Sequence, residues 1–213
     1  MDIETKKQRL AELREEAAQL EREIESRPET WQHSDQQYYG IYHATAGLLL
    51  GSIGAIVSLL FNIVGSLIVQ QNPLQLIKVY LTFPLGEKAL SPEFDTGMAM
   101  AIGCCLYVGT GMLLGIPIQM AIAKFMPDGK LPARLLLASA LGLIIWAINF
   151  YGILAWLQPA LFGGNWVVDP DILPTWVAAA THLVFAWTMA YLYPWGKFEG
   201  YGTQEVQGSA TAA

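Results

Sequence analysis

The sequence predicts an all-α fold: an integral membrane four-helix bundle with an N-terminal, cytoplasmic, amphipathic and coiled-coil-like helix. Three observations carry that expectation. Charge is scarce, with 14% of the 213 residues charged and 54% hydrophobic, whereas a soluble domain carries charge at about a quarter of its positions. Charge is also segregated: of 12 basic residues, Lys6, Lys7, Arg9, Arg14, Arg22 and Arg27 all fall at the N-terminus. The remainder holds four apolar stretches, each with the roughly 20 residues that a bilayer core requires.

Residues 2–27 place Ile3, Leu10, Leu13, Ala17, Leu20 and Ile24 on a heptad pattern that Lys6 interrupts. Glu and Arg fill the flanks, several at i,i+4 spacing, and Pro28 stops the helix. So few heptads are marginal for an isolated coiled coil, so the helix is read as docking on a cytoplasmic partner or the membrane surface. It stands where the apolar core of a cleavable signal peptide would be, and none is expected. Residues 29–40 form an interfacial linker whose Trp31, Tyr38 and Tyr39 suit the headgroup level. His33 in this linker is expected to be solvated.

The spans are expected at about 41–69, 98–124, 133–157 and 173–193. The first is long enough to tilt. Pro117 falls near the inner end of the second, and Pro174 suits the first turn of the fourth. Trp176, Trp187, Tyr191, Tyr193 and Trp195 anchor that fourth span. Between the first two spans, segment 70–97 carries Leu74, Ile77, Tyr80 and Leu81 at helical spacing, with Gln75 and Lys78 elsewhere on the wheel. That pattern fits an interfacial helix on the outer face, the plainer alternative being an outer loop packed on the bundle. Residues 195–213, small and polar towards their end, read as a disordered cytoplasmic tail. Lys124, Lys130 and Arg134 lie between spans two and three, while 158–172 has no basic residue but holds Asp169 and Asp171. With the basic N-terminus, this distribution predicts a multi-pass protein of the inner (cytoplasmic) membrane, both termini cytoplasmic.

The first span arranges Gly47, Gly51, Gly54, Ser58, Asn62 and Gly65 as one stripe along a helix. Glycine costs stability in a helix, and a stripe of small residues lets helix backbones approach closely in lipid. Gly47–Gly51 and Gly111–Gly115 both have the small-xxx-small spacing. Further ridges are expected at Ala101, Cys105 and Gly109, at Gly142, Asn149 and Gly152, and at Ala179, His182, Ala186 and Ala190. These faces predict tight packing or a surface reserved for a partner subunit. Adjacent Cys104 and Cys105 read as small buried residues, since vicinal disulfides are strained.

Asn62, Asn149 and His182 are the intramembrane polar residues. Each asparagine is expected to make an interhelical hydrogen bond, worth about 1 kcal/mol, ahead of contacting a substrate or lipid. His43 and His182 together suggest a b-type haem clamp. Counting turns, however, puts His182 roughly 10 Å deeper than His43, which is poor geometry for one iron. His182 is therefore read as a neutral imidazole bonded to a neighbouring helix, through Asn149 or a backbone carbonyl, and His43 as an interfacial residue meeting headgroups or Tyr39.

No Asp, Glu or Arg lies deep in a span, unlike coupled transporters and pumps. No metal-ligand cluster, HExxH, nucleophile elbow or phosphate loop occurs, so neither catalytic nor metal-ligating residues are expected. A net charge of −6 without a basic patch argues against nucleic acid. The expected role is a non-catalytic accessory or assembly subunit of a larger membrane complex, most naturally respiratory or electron-transfer. Its partners would be the bilayer, neighbouring membrane subunits and a cytoplasmic protein on residues 2–27. Bound lipids are expected and no cofactor. The alternatives are a haem b cytochrome using His43 or His182, and a small channel or transporter lined by Asn62, Asn149 and His182.

Overall fold

The computed structural model describes residues 3–25, 29–68, 70–94 and 97–198. They are predominantly helical, with no strand among them. The chain divides into two units, Met1–Gly40 and Ile41–Ala213.

In the first unit, α1 (Ile3–Glu25) is a single helix. Leu10, Leu13 and Leu20 of the heptad pattern are each about half exposed. Arg9 and Glu12 form an ion pair at 2.9 Å with i,i+3 spacing, solvated on both sides and hence worth little. The expected stop at Pro28 lies outside the described residues. Residues 29–40, read as a linker, are the opening turns of α2 (Glu29–Ile68), whose backbone continues into the first span.

In the second unit, three helical stretches are long and apolar enough to cross a membrane: Tyr39–Ile68 of α2, α4 (Gly97–Phe125) and Leu131–Phe162. Pro117 sits inside α4 without ending it. Leu131–Phe162 runs as α5 (Leu131–Ala147), a π-helical segment (Ile148–Leu154) and α6 (Ala155–Phe162). Gly163 stops α6 at φ 84°, its N–H bonding to Pro159 O at 3.1 Å. This left-handed cap is one that glycine adopts without a Cβ penalty.

The expected fourth span is α7 (Thr175–Leu192), 18 residues long and outside the three long apolar stretches. At about 27 Å it is shorter than the others, and Thr181, His182 and Thr188 dilute its apolar run. Pro174 occupies its N-cap position, one residue before the first turn. α7 packs on α5, where Trp187 Nε1 donates to Ser139 Oγ at 2.7 Å. The tail beyond residue 198 lies outside the described residues.

Segment 70–94 forms α3 (Gln75–Leu85) followed by two 3₁₀ turns, and α3 buries Leu76, Ile77, Lys78, Val79, Leu81 and Thr82. It packs against α4 and α6. Gln158 of α6, fully buried, clamps this arrangement. Its Nε2 donates to Thr82 Oγ1 at 2.9 Å, and its Oε1 accepts from the Val167 N–H at 2.9 Å.

Candidate functional site

Most of the predicted stripe on α2 is buried against α4 and α7. A Cβ on Gly47 would stand 2.8 Å from Gly115 O, and one on Gly51 would stand 2.5 Å from Gly111 O. The two small-xxx-small pairs therefore face each other in antiparallel register, backbone against backbone. Gly54 then lies under the Phe185 ring of α7, where a Cβ would be 3.0 Å from ring carbons. Further along, Ser58 Oγ and Tyr107 Oη share a hydrogen bond at 2.7 Å, and Asn62 Nδ2 donates to Thr181 Oγ1 and Ser58 O, both at 2.8 Å. Asn62 thus makes the interhelical bond expected of it.

Not every small-residue position packs within the chain. Gly65 has nothing within 4 Å of a Cβ position, so it stands outside the seam. On α4 the ridge Ala101, Cys105, Gly109 is not the packing face: Ala101 and Cys105 are exposed and Gly109 has open space. Cys105, read as buried, is thus outward-facing, while Cys104 is half-buried. The packing face is Gly103, Tyr107, Gly111 and Gly115. Its i,i+4 spacing was visible, but the large Tyr107 disguised it. On the third span Gly142 packs beneath α7, a Cβ there lying 3.0 Å from His182 O, while Gly152 faces outward.

His43 is also corrected. It is 2% exposed and heads the buried stripe, with Tyr42 packed edge-on at 5.5 Å. Around this end, Gln119 Nε2 donates to Gly196 O at 3.0 Å and Lys197 pairs with Asp128 at 2.6 Å. His182 is far away. It neighbours Thr181, which Asn62 contacts, and Asn62 lies 19 residues beyond His43 on the same helix. That places the two histidines about 28 Å apart along the bundle. They do not converge on one site.

Asn149 and His182 do meet, on a cavity of about 370 Å³ beyond the glycine seam. α2, α3, α4, the π-helical segment and α7 all contribute to its wall. Tyr80, Phe83, Tyr107, Phe150 and Phe185 supply rings. Tyr80 meets Tyr107 edge-to-face at 5.0 Å, and Phe150 meets His182 at 6.0 Å. The π-helical segment delivers Asn149 and Phe150 to this wall, a use of π turns that recurs at functional sites. No carboxylate, lysine or arginine lines it.

The His182 ring has a defined tautomer. Nδ1 lies 2.8 Å from Ala178 O, and a carbonyl only accepts, so Nδ1 carries the proton and Nε2 keeps its lone pair. The expected interhelical bond from His182 is therefore a bond within its own helix. The hydroxyl of Tyr107 is already engaged by Ser58. Among the described residues, His182 Nε2 and the Asn149 amide are polar groups of the wall with capacity for a guest. No group of three His, Cys, Asp or Glu among the described residues is placed to hold a metal ion.

Compared with known proteins, the chain matches no family model, no curated protein and no solved structure.

Proposed function

We propose that the chain is a four-span protein of the inner membrane, α7 being the fourth span, that serves as a non-catalytic accessory or assembly subunit of a larger membrane complex. A respiratory or electron-transfer complex is the host we favour. The observation that carries this reading is the bareness of Leu131–Phe162. Its apolar window has a mean hydropathy of 2.0, yet only 11% of it is buried within the chain, against 39% for Tyr39–Ile68 and 33% for α4. Leu136, Ile144, Tyr151, Trp156 and Leu161 all face outward. In a bilayer such a face meets lipid or a neighbouring subunit, and its aromatic content suits a protein interface. The half-exposed leucines of α1 support a second, cytoplasmic contact.

The orientation rests on Lys124, Lys130, Arg134 and Lys197. The first three flank the α4–α5 connection, and Lys197 pairs with Asp128 within it. Basic residues thus gather at the end where both the α2 span begins and the described chain finishes, as cytoplasmic ends do. Tagged protein taken from native membranes in mild detergent is expected to bring stoichiometric membrane partners, and deleting the chain should lower their assembly. Recovery of this chain alone, with all other complexes intact in the deletion strain, would overturn the reading.

A further inference from the structure

We infer that the cavity between α2, α3, α4, the π-helical segment and α7 binds a phenolic ring of the hydroquinone class, its hydroxyl donating to His182 Nε2. This goes beyond a role in assembly and concerns binding alone.

Three features converge on that chemistry. The volume of about 370 Å³ is at the small end of ligand cavities and suits one or two fused rings. The rings of Tyr80, Tyr107, Phe150 and Phe185 offer edges and faces for a flat aromatic guest, a geometry that adds to simple burial. The polar wall is specific. Tyr107 is satisfied by Ser58, whereas His182 is fixed by Ala178 with Nε2 as an acceptor. An acyl chain would leave that lone pair facing hydrocarbon, at a cost. A phenolic hydroxyl is a strong donor that fits it, and the Asn149 amide, also in the wall, is a second handle for the ring's other oxygen. A porphyrin is disfavoured by the volume and by the distance to His43.

The test uses the full chain in nanodiscs, with benzohydroquinone as probe and 1,4-dimethoxybenzene as a control of the same ring that cannot donate. Benzohydroquinone should bind about tenfold tighter than the ether, the worth of one hydrogen bond. His182→Leu should erase that difference, and His182→Gln, which keeps an acceptor, should restore some of it. Nδ1 bonds within its own helix, so neither change breaks an interhelical hydrogen bond of this side chain. Wild-type protein labelled with ¹⁵N-histidine gives a readout free of variants: the unprotonated Nε2 resonance of one histidine should move with the hydroquinone and not with the ether. Equal affinity for the two compounds, or an Nε2 signal indifferent to both, would overturn the inference. Mass spectrometry of extracts from the purified protein separates the sources. A tailed hydroquinone retained by wild type and lost in His182→Leu identifies a membrane lipid, and binding of added probe without one identifies a free phenol. Stoichiometric retention of acyl lipid that excludes the probe counts against it.

Discussion

Near Gly47 the helices α2 and α4 touch through their backbones, whereas near Ser58 a side-chain hydrogen bond to Tyr107 joins the same two helices. The difference traces to one position in a regular series. On α4 the packing face runs Gly115, Gly111, Tyr107, Gly103. Gly115 and Gly111 admit Gly47 and Gly51 to backbone contact. Tyr107 cannot, and its hydroxyl instead bonds Ser58 across the gap. Phe185 enters over Gly54 from α7. Past this pair of rings the bundle no longer closes, and α3 and the π-helical segment complete a cavity rather than a core. Close packing and a cavity thus lie on one periodic face, divided where Tyr107 takes the place of a glycine.

The largest effect is expected at the closed end. A Cβ on Gly115 would overlap Gly47 O and press on Gly51 Cα, so Gly115→Leu has to push the α2 and α4 backbones apart. A loss of about 3 kcal/mol is expected, at the upper end for overpacking, read as a lowered midpoint in detergent unfolding. A midpoint unchanged within error would show that the seam is looser than its geometry. Next comes the wall of the open end. Gln158→Leu keeps the volume but leaves the Val167 N–H and Thr82 hydroxyl without their buried partner, at about 2 kcal/mol. Hydrogen exchange should quicken in α3 and stay unchanged at Gly47–Gly51. Uniform quickening would mean that the two ends are not independent.

Much of the closed end was legible in the sequence because glycine leaves a periodic signal. His43, Gly47, Gly51, Gly54, Ser58 and Asn62 repeat at helical spacing, and all are buried. The open end was not legible, for physical reasons. The stretch QLIKVYLTFPL is apolar nearly all round, so its pattern cannot separate an interfacial helix from a buried one. Its burial depends on Gln158, 76 positions away from Thr82, a pairing that no local signal announces. The π-helical segment has no signature in composition or period. Asn149 and His182 could each be singled out as polar in apolar surroundings, but their meeting depends on that segment. His43 was misjudged because proximity to the span's end says nothing of which face a residue occupies.

The smallest effects lie at the far end of the α2 stripe, where Asn62 and Gly65 stand one turn apart with opposite surroundings. Asn62→Ala removes the bond to Thr181 and should cost about 1 kcal/mol. Gly65 has nothing within 4 Å of a Cβ position. Gly65→Ala should therefore be neutral or stabilise by up to about 1 kcal/mol, through the better helix propensity of alanine. Isolated protein in detergent is the right sample for that gain. The same substitution in native membranes asks a different question. If Gly65→Ala stabilises the purified chain but weakens recovery of its membrane partners, then the open space at Gly65 is filled by another subunit. The small-residue stripe would then be one continuous packing edge, its first five positions used within the chain and its last used between chains.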